Sequence, residues 1–86
     1  MDAILLRWDD TKSSRYGGQY TRAYFRSITK DSTYDKVYRL DIYDKHPKSK
    51  RFLPHLVQQT VFENLTVFDD NRKIIDGGSD FKISGK

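Results

Sequence analysis

Between Tyr20 and Ile28 the chain alternates residue by residue, and a period of two held over that length leaves a half-buried β-strand as its natural conformation. Tyr20, Arg22, Tyr24 and Arg26 fall on one side of such a strand, and Thr21, Ala23, Phe25 and Ser27 on the other. Small residues flanking one Phe suit a tight core. The opposite row, ring then cation twice over, offers flat faces for stacking and guanidinium groups for phosphate, as a single-stranded nucleic acid requires of a surface.

The rest of the chain extends this pattern. Ala3 to Asp9 reads as a first strand, with Ile4, Leu6 and Trp8 in one phase and Ala3 and Leu5 in the other; Trp8, the sole tryptophan, is expected to anchor the core at its end. Asp9 to Gln19 has no apolar period and is rich in turn formers, so it is a loop; Lys12, Arg15, Tyr16 and Gly17-Gly18 equip it to fold over a ligand, unless it is an ordinary hairpin connection. Lys30 to Thr33 supplies the next turn, and a third strand is expected from about Tyr34. Within it Tyr38, Leu40 and Ile42 share the core phase, while Val37, Arg39, Asp41 and Tyr43 share the other. If the second and third strands form an antiparallel hairpin, Arg39 and Tyr43 join Arg22, Tyr24 and Arg26, with Asp41 among them to pair with and orient a neighbouring Arg.

Lys45 to Arg51 is a loop with Lys45, Lys48, Lys50 and Arg51 and no acid. The following stretch carries two patterns. Leu53, Leu56, Val57, Thr60, Val61 and Leu65 follow helical spacing with Pro54 suited to a first turn, whereas residues 60–68 are rich in β-branched and aromatic residues; a helical turn near 53–59 and a strand over 61–68 reconcile them. Asp69 to Arg72 turns the chain into a strand at Lys73 to Asp76, and Ser79 to Ile83 forms a last strand that buries Phe81 and Ile83 and exposes Asp80 and Lys82. Short strands punctuated this regularly predict an all-β fold: a small five- to six-stranded antiparallel barrel, OB- or SH3-like, with at most one short helical turn near 53–59. Closure would protect edges that a chain of 86 residues has few other means to cover, and that length fits one domain over 1–86.

Composition narrows the partners. Net charge is +4, yet residues 1–60 hold twelve Lys or Arg against seven acids, whereas residues 61–86 hold four against five. A concentrated positive field attracts polyanions, or steers the domain onto an acidic protein, although charge of this size also serves solubility alone. Cysteine is absent, which removes disulfides, thiolate zinc sites and a thiol nucleophile. With no long apolar run and an acid rather than a base at the N-terminus, a cytoplasmic location and no membrane partner are expected.

No nucleophile with a base, no tuned carboxylate pair and no metal-ligand spacing is visible, so the expectation is a protein without catalytic activity, metal or cofactor. His46 lies among cations and His55 beside Pro54; the acids at Asp9-Asp10, Asp69-Asp70 and from Asp76 to Asp80 lack the alternate-position ligands of a calcium loop. Binding remains. Arg15, Tyr16, Tyr20, Arg22, Tyr24, Arg26, Arg39, Tyr43, Lys45, Lys48, Lys50 and Arg51 are the candidate nucleic-acid-binding residues, for single strands rather than duplex because no basic recognition helix is evident. Tyr and Arg also dominate protein hot spots, so the alternative is a small interaction module, for example a phage or mobile-element protein that modulates a host protein.

Overall fold

The computed structural model describes residues 1–9, 12–13, 15, 17–47, 49–68, 73–74 and 80–84. Strands β1 (Ala3–Trp8), β3 (Gln19–Ser27) and β4 (Val37–Tyr43) form the centre of one sheet, and β2 (Lys12–Ser13) adds a short ladder to β3. A 3₁₀ helix (Ser49–His55) follows β4, and then come β5 (Val61–Glu63), β6 (Val67–Phe68), β7 (Lys73–Ile74) and β8 (Lys82–Ile83). The spatial order is β6-β7-β4-β3-β1-β5-β8. The fold is all-β, as the alternation predicts. One pairing departs from the antiparallel expectation, because β7 lies parallel to β4 through Arg39 and Lys73.

The expected barrel closure is not seen among the described residues: β6 and β8 end the path with no ladder between them. The sheet nevertheless curls, and chain connectivity requires it. Five strand spacings separate β5 from β6, roughly 24 Å in a flat sheet. The chain joins Glu63 to Val67 in four residue steps, a reach of about 14 Å at most. Both ends accordingly line one open cleft, with Val67 from β6 and Lys82 from β8 beside Met1 and Glu63.

Ala3, Leu5, Ala23, Phe25, Tyr38, Leu40, Ile42, Phe52, Phe62, Leu65 and Ile74 are all buried and form one cluster inside the curl. Phe25 meets Phe62 edge to face at 5.2 Å, and Phe52 stacks on Phe81 at 4.3 Å. Burying an aromatic side chain of this kind contributes about 1.5–3 kcal/mol.

The elements at 45–68 depart from expectation in instructive ways. The helical turn covers 49–55 rather than 53–59, so Lys50 and Arg51 stand on a helix and not in a loop. Phe52 decides this by entering the core with no exposure, while Leu53 and Val57, two residues of the helical period, are 44% and 62% exposed and Leu56, a third, is partly buried against the core. The single strand expected over 61–68 is two strands, because Asn64 takes φ 65, a left-handed conformation that Asn tolerates and that ends a ladder. The third strand starts at Val37 rather than Tyr34, since residues 32–35 form a turn with Asp35 at φ 63.

In β1, Leu5 pairs with Phe25 and Arg7 with Tyr24, so Leu6 is the extra residue of a β-bulge. The bulge reverses the strand's phase. Arg7 is carried to the outer face, and Trp8, opposite Ala23 at the strand end, is 39% exposed rather than the core anchor expected of it.

Candidate nucleic-acid interface

The inner faces of β3 and β4 are apolar and belong to the core, so their outer faces carry whatever alternates with it. The register sets Tyr20 opposite Tyr43, Arg22 opposite Asp41, Tyr24 opposite Arg39 and Arg26 opposite Val37. Across β1, Arg7 stands opposite Tyr24 and Ile4 opposite Arg26. Six of the twelve sequence candidates, Tyr20, Arg22, Tyr24, Arg26, Arg39 and Tyr43, are thus brought together on one sheet face, each half-buried or exposed.

The face has an internal order. Tyr20 and Tyr43 lie 5.4 Å apart with their planes tilted by 35°. Beside them Arg22 makes a two-pronged contact with Asp41, Nε to Oδ1 at 2.7 Å and the second nitrogen to Oδ2 at 3.3 Å. The hydrogen bond to Asp41 raises the guanidinium's pKa above its ordinary value, against an opposing desolvation. Arg22 is therefore a neutralised cation, and its guanidinium also lies 5.7 Å from the Tyr20 ring.

Arg7 was not among the sequence candidates. Its guanidinium lies 4.0 Å from the centre of the Tyr24 ring and donates to Asp9 Oδ1 at 2.7 Å, while the Tyr24 hydroxyl donates to Asp9 Oδ2 at 3.1 Å. Alternation alone puts Arg7 in phase with Ala3 and Leu5, and only the bulge brings it outside. Arg26 stands 3.8 Å from Asp35 with both side chains exposed, a contact of little energetic weight. Arg39 is exposed and has no acidic partner among the described residues.

The other candidates are not all on this face. Lys45 continues from β4 and packs its chain against Gly17-Gly18, where Asp44 also accepts from the Gln19 amide at 3.1 Å. It therefore borders the Tyr20–Tyr43 end. Arg15 is exposed in the segment that leads to the same glycines. Lys50 and Arg51 go elsewhere: Phe52 turns the 3₁₀ helix toward the core side, and Arg51 lies 5.0 Å over Phe81, itself packed on Phe52 and Phe62. Arg51 is thus placed behind the sheet relative to Tyr24, and Lys50 is exposed on the same helix. Tyr16 and Lys48 lie outside the described residues.

No protein-family model matches the sequence, and no curated protein or solved structure is significantly similar to it. Among the described residues, no helix is long and apolar enough to cross a membrane.

Proposed function

We propose that the outer face of β1, β3 and β4 binds single-stranded nucleic acid without catalysis, cofactor or metal. The observation that carries this reading is the register that gathers Tyr20, Tyr43, Tyr24, Arg26 and Arg39 on one sheet face, each half-buried or exposed. Rings receive bases, and Arg39 and Arg26, with Lys45 at the border, hold the backbone; stacking rings have no target inside an intact duplex. The curled sheet is compatible with a partly open OB- or SH3-like barrel, the architecture we favour, and the absence of cysteine suits a reducing cytoplasm.

The ion pairs on the face favour a second reading. Asp9, Asp35 and Asp41 offset three of its four arginines, which weakens its attraction for a polyanion and leaves a Tyr- and Arg-rich surface of the kind found at protein hot spots. Titration of labelled single-stranded DNA, duplex DNA and RNA at two salt concentrations separates the two. The first reading requires single-strand binding that falls steeply with salt and weakens in Tyr24→Ala and Arg26→Ala alike. Negligible binding of all three at low salt, with a stoichiometric protein complex recovered from lysate, overturns it in favour of the second.

A further inference from the structure

We propose that Arg7 is a stacking residue of this face, and that together with the Tyr20–Tyr43 pair it sets a two-nucleotide step along β3; the inference rests on the single-strand reading above. Arg7, Asp9 and Tyr24 hold one another. The guanidinium covers one side of the Tyr24 ring at 4.0 Å, and the two oxygens of Asp9 take the guanidinium and the phenol hydroxyl. A base that approaches Tyr24 from that side meets the arginine first. The arginine side chain is still 59% exposed, so its outward side is open to a ligand.

A guanidinium is planar and weakly hydrated, and bases stack on it as they do on rings. Asp9 has already offset the positive charge of Arg7, which lowers its worth as a phosphate contact and leaves the plane as what it offers. Arg39, opposite Tyr24 on the other flank and without an acidic partner among the described residues, is the better placed of the two for phosphate. The face thus separates the two tasks, with flat groups at Tyr20–Tyr43 and at Arg7–Tyr24.

Spacing gives the step. Tyr20 and Tyr24 are four residues apart on one strand, about 13 Å at the usual rise. An unstacked nucleic-acid strand, with a repeat roughly twice the ~3.4 Å of a stacked helix, covers that distance in two nucleotides. Between the platforms lies the closed Arg22–Asp41 pair, whose arginine side chain is only 25% exposed against 59% for Arg7 and so offers the intervening nucleotide little surface to stack on.

The test is fluorescence anisotropy with labelled oligothymidylates of two to eight nucleotides at two salt concentrations, on the wild-type chain, Arg7→Ala, Arg7→Lys and Asp9→Asn, each checked for fold by circular dichroism. Affinity is expected to climb steeply up to three nucleotides, the length that reaches both platforms, and slowly beyond. Arg7→Ala and Arg7→Lys should lose affinity alike, by roughly 5- to 100-fold as for other stacking residues, with the salt slope unchanged. Asp9→Asn, which frees the guanidinium from its support, should also weaken binding. Wild-type affinity in Arg7→Lys, or a shallower salt slope in Arg7→Ala, would make Arg7 a phosphate contact and overturn the inference while the single-strand reading stands. If the wild-type chain binds none of the oligonucleotides, that reading falls and takes this inference with it.

Discussion

At the scale of single residues, the outer face depends on side chains that hold their neighbours as much as on those offered to solvent. Gly18 is one. Its φ of 78 lies in the left-handed region, and a Cβ there would come within 2.7 Å of Asp44 Oδ1, the oxygen that accepts from the Gln19 amide. Gly18→Ala should therefore cost the left-handed strain of about 1–2 kcal/mol together with part of that hydrogen bond. Gly17→Ala, at φ 88 but with only the flexible end of Lys45 nearby at 3.5 Å among the described residues, should pay the strain alone. Urea denaturation of the two variants checks the order, and equal losses would show that the Asp44 latch contributes nothing. Glycine pairs in a sequence announce a turn. They do not announce which carboxylate closes it.

At the scale of elements, the β3–β4 hairpin carries most of what was legible. The alternation of both strands sorted Phe25, Leu40 and Ile42 inward and Tyr24, Arg26 and Arg39 outward, and the burial follows that sorting. The same register makes Arg22 and Asp41 direct partners, with side-chain exposures of only 25% and 9%, whereas Arg26 and Asp35 meet at 3.8 Å in water. Double-mutant cycles to Ala should give a coupling of about 1–3 kcal/mol for the first pair, since its hydrogen bonds are charged and partly desolvated. The second should give no more than about 0.5 kcal/mol. A coupling for Arg22–Asp41 as small as that of the exposed pair would mean that desolvation cancels the contact. The shorter elements were less legible. The bulge at Leu6 and the left-handed Asn64 each shift the phase of a strand through one residue, and neither residue type is confined to such a role.

At the scale of the whole molecule, stability is expected to be uneven. β1, β3 and β4 pair over long ladders above the core, whereas among the described residues the β6–β7 and β5–β8 ladders each join two residue pairs. Short ladders at the ends of an open sheet unfold locally at low cost. Native-state hydrogen exchange should find the strongest protection in residues 21–26 and 38–42, with the amides of Val67, Ile74 and Ile83 exchanging first. Uniform protection across all strands would instead indicate that the sheet closes and opens as a single unit. The curl that makes this sheet enclose a core is forced by the short link from Glu63 to Val67, a consequence of strand order rather than of any local pattern.

What the sequence determined by itself is therefore the set of local choices: strands by their period of two, their inward and outward faces, and the pairing of rings with cations along β3. Such choices follow from side-chain polarity and backbone preference over a few residues, which is all that a period can report. Tertiary structure alone decided that Arg7 crosses to the outer face, that Trp8 leaves the core, that β7 lies parallel to β4, and that Arg51 stands behind the sheet. Each of these depends on contacts between residues far apart in the chain, Phe52 against Phe81 and Arg7 against Tyr24 among them, and no single segment contains both partners.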